Sequence, residues 1–196
     1  MFEGLVFRLA DGIERSSVLQ LRRQVYTQEL GYDPIDEYDE RAPQFVAVRS
    51  DGEIVGAFRI VMPWQRPLEI ERYVDLSAVI APGRSVGQSG ALWVRPDYRR
   101  VTKDAVLPLG LLKLAFAFAR KSGITDLVMR TPTPALRVFY RRAYFLEIER
   151  LNFDHPVCGR VYVMHADLLS LEAHWSQLED PIARFLFLAD LPNVKV

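Results

Sequence analysis

The chain has 196 residues, of which 49% are hydrophobic, 26% charged and 11% aromatic, enough for one large domain whose core needs no metal or disulfide. Its 25 Lys and Arg balance its 25 Asp and Glu, so net charge supplies no general attraction to nucleic acid. A single cysteine, Cys158, excludes an intrachain disulfide and suits a reducing compartment; with no basic-then-apolar leader after Met1 and no bilayer-length apolar run, a cytosolic protein is expected.

No repeat, low-complexity tract or linker interrupts the chain, which reads as a single domain over residues 1–196. Residues 5–9 alternate weakly, as a first strand would. Residues 13–30 have helical spacing, with Val18, Leu21, Val25 and Tyr26 on one side, and Gly31-Tyr32-Asp33-Pro34 stops that helix. Residues 45–48 and 54–61 form a hairpin about Asp51-Gly52. Residues 63–87, with Pro63, Pro67, Pro82 and Gly83, are expected to be mostly loop with a helical turn.

A strand over 91–94 then runs into a Pro96-Asp97 turn and a basic tip of Arg95, Arg99, Arg100 and Lys103. The next helix, from about Asp104 to Lys121, is apolar on nearly every side and hence buried; Ser122-Gly123 ends it. Residues 127–129 are another strand, and Thr133-Pro134 supplies an N-cap and first helical residue for a short helix to Arg142. Residues 145–148 and 161–165 are two last strands, with a helix within 168–188 whose apolar residues (Trp175, Phe185, Leu186, Phe187, Leu188) pack on the sheet. A hairpin followed by β-α-β places the chain in the α/β class: three layers, with a mixed, mostly antiparallel sheet flanked by helices and one right-handed parallel pair.

Certain residues call for partners. Arg22 shares a helix face with Val18 and Tyr26, and a guanidinium buried there needs a carboxylate; Asp36, Asp39 and Glu37 are at hand. Such a set is either an ion pair holding the loop over 31–40 or a polar wall that orients a small molecule. Arg59, on the second hairpin strand, reads by itself as an exposed strand residue. His155, His165 and His174 lack metal-ligand spacing, and Cys158 has no His partner motif, so it reads as a loop thiol.

The hairpin at 45–61, the strand exit Val94-Arg-Pro-Asp-Tyr-Arg99 and the segment Ala135-Leu-Arg-Val-Phe-Tyr-Arg-Arg-Ala-Tyr-Phe145 resemble, in that order, the elements of the GNAT superfamily of N-acyltransferases. A narrower resemblance covers residues from about 18 to 150. Arg22-x-x-Val25-Tyr26, Leu30-Gly31-Tyr32, Asp36-x-x-Asp39 and Gly56-Ala-Phe-Arg59 are similar to the N-terminal pattern of acyl-homoserine-lactone synthases and long-chain N-acyl amino acid synthases. The resemblance implies acyl transfer from acyl carrier protein to an amine. It implies an acceptor and donor site shaped by Arg22, Tyr26, Tyr32, Asp36, Asp39 and Arg59, and protonation of the departing thiolate by Tyr140. Where the lactone synthases have E-x-S-R, this chain has Gln88-Ser89-Gly90-Ala91, which points to a different amine acceptor or base. The same change also motivates a non-catalytic binding module as an alternative.

Aminolysis of a thioester needs a site for the pantetheine arm, polarisation of the carbonyl and removal of a proton from the nucleophile. Backbone N–H groups at Leu92, Trp93 and Val94, where parallel strands part, would serve the first two. For the third, Gln88 would position a water, or Glu69, Glu71 or Asp75 would accept the proton. Coenzyme A carries a pyrophosphate, usually cradled by a glycine-rich helix entry, and no glycine lies between Gly90 and Gly110. Acyl carrier protein, with one phosphodiester and an acidic surface, suits Arg95, Arg99, Arg100 and Lys103, with Arg137, Arg141 and Arg142 as further contacts; acyl-coenzyme A is the alternative donor. Apolar residues over 107–118, with Phe139, Tyr144 and Phe145, are either core or the lining of an acyl tunnel.

Overall fold

The structure is a computed structural model describing residues 4–101, 106–174, 177 and 179–196. Trp175, Lys103 and Asp104 lie outside the described residues, as does the side chain of Arg100. In chain order the chain forms β1 (Leu5–Leu9), α1 (Gly12–Leu30), β2 (Gln44–Arg49), β3 (Ile54–Val61), β4 (Val86–Val94), α2 (Pro96–Val101) and α3 (Val106–Lys121). β5 (Asp126–Thr131), α4 (Pro134–Arg142), β6 (Leu146–Glu147), β7 (Phe153–His155), β8 (Gly159–Asp167), α5 (Leu168–His174), α6 (Pro181–Ala183) and β9 (Val194–Lys195) follow. The fold is α/β, with a mostly antiparallel sheet flanked by helices: among the described ladders only β1–β9 and β4–β5 are parallel.

The described chain divides into two compact units, the first made of Met1–Ile60, Ala91–Phe118 and Ala189–Val196, the second of Val61–Gly90 and Ala119–Leu188. In the first, Asp11 starts α1 with a capping box: its carboxylate accepts from the Ile13 and Glu14 N–H groups while Glu14 accepts from the Asp11 N–H. Gly31, at φ 76°, ends α1 in the left-handed conformation that glycine adopts without strain. β2 pairs antiparallel with both β1 and β3, and Gly52 turns the hairpin between β2 and β3 at φ 89°.

Every residue of β3 is buried, because helices cover both faces of this sheet. On one face, Val18 and Val25 of α1 pack with Val46, Val48, Ile54, Ala57 and Trp93. On the other, α3 brings Leu107 against Gly56 and its Gly110 against the Phe7 ring, and Phe118 meets Phe45 edge-on at 5.2 Å. Leu107, Leu111, Leu112 and Leu114 are at most 1% exposed, each stabilising the fold by about 1.5–3 kcal/mol. α3 is thus buried as its composition predicts.

In the second unit, β5 pairs parallel with the start of β4 and antiparallel with β8, which also pairs with β6 and β7. In both units several elements depart from the sequence expectations. β4 begins at Val86, five residues before the expected strand, because Gln88, Ser89 and Gly90 hide the strand pattern while occupying buried or half-buried positions. The loop over 63–87 contains three 3-10 turns, Pro63–Gln65, Glu69–Arg72 and Leu76–Ala78. The expected strand over 145–148 shrinks to two residues, and β7 and β9 are too short to carry an alternation. Pro96-Asp97 opens the short helix α2 rather than a plain turn. Thr133 stands at the N-cap of α4 but makes no side-chain cap bond. The helix expected within 168–188 is α5, then a restart at Asp180-Pro181 through α6 into a π-turn at Arg184–Leu188.

Candidate active site

The first unit gathers the acceptor-pattern residues around α1 and the β2–β3 hairpin. Arg22 is fully buried; its Nη1 donates to Asp39 Oδ1 at 2.6 Å and its Nη2 to the Gln44 side-chain oxygen. Asp36 caps the 3-10 turn Glu37–Glu40 by accepting from the Tyr38 N–H, which brings Asp39 back toward the sheet. Arg59 reaches both oxygens of Asp36, at 2.7 and 2.5 Å, and Asp39 at 2.7 Å. Gln44 completes the set by donating to Asp39 at 3.1 Å.

Two cations and two anions thus neutralise one another, all but the half-buried Asp36 out of water, which is tolerable only because nearly every lone pair and proton is matched. Burial alone would raise the Asp39 carboxyl, but Arg22 and Arg59 outweigh it and hold it below its ordinary value. Burial would likewise lower Arg59, yet its bonds to Asp36 and Asp39 leave it above the usual arginine range; for Arg22, burial prevails and lowers it. Arg22 Nε has no partner among the described residues.

Tyr26, one turn along α1 from Arg22, connects this cluster to β4. Its hydroxyl donates to the Leu92 carbonyl at 3.1 Å, and its ring meets Tyr32 edge-on at 5.7 Å. Next to Leu92, Ala91 sits at φ 51°, a left-handed conformation that costs a non-glycine residue about 1–2 kcal/mol and turns the backbone out of regular strand geometry. Trp93 and Val94 are buried, Trp93 within the α1-side core, so in this unit β4 offers its backbone more than these side chains. The Trp93 indole N–H has no acceptor among the described residues.

Beyond Val94 the two arginines of the basic tip whose side chains are described, Arg95 and Arg99, are both paired. Arg95 bonds Asp97 at 3.1 and 2.7 Å and also Glu53; Arg99 donates to the Val94 carbonyl and to Glu29, both at 2.7 Å.

The second unit holds Gln88 and Tyr140. The β4–β5 ladder runs Val86–Asp126, Gly87–Leu127 and Gln88–Val128 and stops there, although β5 continues to Thr131. The parallel pair therefore parts after Gln88. Gln88 is 4% exposed; its carbonyl accepts from the Ile70 N–H and its amide nitrogen donates to Glu69, each at 2.9 Å. Arg130 bonds the other oxygen of Glu69. Tyr140 is buried on α4, its ring edge-on to Phe139 and Phe145 at 5.2 and 5.9 Å. Arg137, from the same helix, pairs with Glu147 at 2.6 Å and lies over the Tyr162 ring.

Sequence reading missed Gln44 and the Glu69–Arg130 pair, because nothing local marks a glutamine at a strand start or an arginine on β5 as partners of distant carboxylates. It also missed Asp126, which accepts from His165 at 2.7 Å and from Arg84 at 2.6 and 3.0 Å. Among the described residues no cluster of His, Cys, Asp or Glu could hold a metal, and no described helix is long and apolar enough to cross a membrane.

The fold is thus a GNAT-like α/β fold, with a parallel pair that parts in the second unit and a buried ionic cluster in the first. Residues 17–167 match the family of the N-acyl amino acid synthase FeeM, and the chain belongs to that family. Among solved structures it is similar to FeeM, an N-acyl amino acid synthase from uncultured soil microbes, with a TM-score of 0.72 and 19% identity over 92% of this chain and 97% of that one. It is also similar to the acyl-homoserine-lactone synthase LasI, with a TM-score of 0.65 and 14% identity over 95% and 96% of the two chains. BjaI, a coenzyme A-dependent acyl-homoserine-lactone synthase, aligns with a TM-score of 0.58 and 16% identity over 91% of each chain. No curated protein matches the sequence significantly.

Proposed function

We propose that this acyltransferase moves a long-chain fatty acyl group from acyl carrier protein to the amine of an amino acid or a similar small molecule. The observation that carries the acyl-transfer reading is the end of the β4–β5 ladder at Gln88–Val128. Parallel strands that part leave backbone groups available to bond a thioester carbonyl and its pantetheine arm. The left-handed Ala91 beyond it supports the same use of the β4 backbone at Leu92, Trp93 and Val94.

The amine attacks the thioester carbonyl, the tetrahedral intermediate collapses, and Tyr140 is assigned to protonate the leaving thiolate. Arg22, Asp36, Asp39 and Arg59 are assigned to hold the 31–40 segment in place for the acceptor, with Tyr26 and Tyr32 as its aromatic flank. The glycine-free run between Gly90 and Gly110 favours a carrier protein over the pyrophosphate of coenzyme A.

Acyl-coenzyme A is the second reading. The carboxylates already bonded to Arg95 and Arg99 weaken that rim as a dock for an acidic carrier, and BjaI is a coenzyme A-dependent enzyme of similar fold. Purified protein supplied with acyl-carrier-protein thioesters and a panel of amines is expected to release N-acyl amines detectable by mass spectrometry. A Tyr140→Phe variant should lose about 100-fold or more in kcat. Turnover with acyl-coenzyme A and none with the carrier thioester selects the second reading, and no product from either donor refutes both.

A further inference from the structure

Three carboxylates precede β4 in the second unit, and their surroundings separate them. Glu71 closes its own turn, accepting from the Leu68 N–H at 2.7 Å and from Arg66 at 2.6 Å. Asp75 caps the next turn, accepting from the backbone and hydroxyl of Ser77 at 2.9 and 2.7 Å. Glu69 instead reaches out of its turn to both parallel strands: Gln88 of β4 donates to one of its oxygens and Arg130 of β5 to the other.

The place it reaches is where the ladder ends. Gln88 faces Val128 in the last rung, and Arg130 lies two residues beyond Val128, hence on the same face of β5. The Ile70 N–H, bonded to the Gln88 carbonyl, ties the turn to that rung. Glu69 and Arg130 are only 16% and 18% exposed in their side chains, so the pair is largely shielded from water, where charge-assisted hydrogen bonds are strongest. Beside it, Tyr73 stacks on Phe153 at 4.7 Å and bonds His155 at 3.0 Å, and His155 lies within electrostatic reach of both Glu69 and Arg130.

We infer that Glu69 is the group that binds the ammonium of the acceptor and receives the proton it sheds, with Gln88 and Arg130 as its positioning residues. This rests on the acyl-transfer reading above. The ammonium gives one proton to the Glu69 carboxylate, the freed nitrogen forms the C–N bond at the thioester carbon, and the C–S bond breaks on collapse. Tyr140 gives its proton to the thiolate and takes up a second nitrogen-bound proton, leaving a secondary amide, a thiol and one proton that Glu69 releases to water.

The amide at position 88 then has a physical reason. A glutamate there would set a second carboxylate at hydrogen-bond distance from Glu69, and two such charges oppose each other. Glutamine donates to Glu69 instead and fixes its oxygen. The carboxylate absent from the strand is supplied by the neighbouring turn.

The test is steady-state kinetics of the full chain with a fatty acyl thioester donor and varied amine. Glu69→Gln is expected to lower kcat/KM for the amine about 100-fold or more while KM for the donor stays within about threefold. Gln88→Glu should lower it too, although it restores a carboxylate on the strand. Retained amine kcat/KM in Glu69→Gln, or a rise in the donor KM well beyond threefold, overturns the assignment while leaving the acyl-transfer reading intact. If Glu69→Gln does not fold, Glu69→Asp should show a drop of about tenfold in amine kcat/KM, and wild-type kinetics in Glu69→Asp overturns it. A wild-type chain that turns over no donor and amine pair overturns the acyl-transfer reading and this assignment with it.

Discussion

Arg22 shows what a buried charge demands of its surroundings. Its guanidinium is fully enclosed, and it is answered by Asp39 and Gln44, with Arg59 and Asp36 completing the neutral set. Truncating one member leaves its partners buried and uncompensated, which typically costs 3–5 kcal/mol, about the same as a large core truncation. Arg22→Ala is therefore expected to destabilise the fold by about 3–5 kcal/mol, read as a lower midpoint in urea unfolding; a change below about 1 kcal/mol would show that Asp39 is satisfied without it. The partnership of Arg22 with an acidic loop was legible from its place among apolar neighbours on α1. The choice of Asp39 over Glu37 as its carboxylate, and the part played by Gln44, were not, because they depend on how the 3-10 turn Glu37–Glu40 returns against β2.

At the scale of elements, α1 and α3 were the most readable parts, since α1 carries a helical period, α3 a long apolar run, and each a glycine stop, at Gly31 and Gly123. α3 also shows why composition alone does not say what a helix packs against. Gly110 sits where a β-carbon would overlap the Phe7 ring of β1, so the glycine is there for close approach and not for flexibility. Gly110→Ala gains about 1 kcal/mol of helix propensity, but the overlap with an aromatic ring in a close-packed core costs about 1–3 kcal/mol. The variant is expected to melt below the wild type in thermal unfolding by circular dichroism, and an equal or higher midpoint would mean that Phe7 moves aside without penalty. β4 was the least readable element. Its first half is polar and glycine-bearing because Gln88 and Ser89 are tied to the 3-10 turn and to β5, by side-chain bonds to Ile70, Glu69 and Val128, so the alternation that announces a strand is absent.

Across the molecule, each compact unit buries one aspartate whose carboxyl lies below its ordinary value of 3.8. For Asp39, burial is outweighed by Arg22 and Arg59; for Asp126, it is outweighed by His165, Arg84 and Thr125. A carboxyl depressed in the folded state contributes stability that is complete above its unfolded value and is lost as pH falls through the folded one. From these two groups, the melting temperature should hold down to about pH 4 and then decline. Asp126→Asn should lower the melting temperature at pH 7 and make that acid decline shallower; an unchanged acid slope would remove Asp126 from the account. The sequence by itself determined the α/β class, the order of the main elements and the resemblance to amine acyltransferases, because periodicity, turn residues and short motifs are local properties of a chain. Only the tertiary structure decided which charges cancel, which strand carries the break and which carboxylate stands beside it. Those depend on contacts between residues far apart in the chain, such as Arg22 with Gln44, Arg59 with Asp36, and Glu69 with Arg130, and no local pattern records such distances.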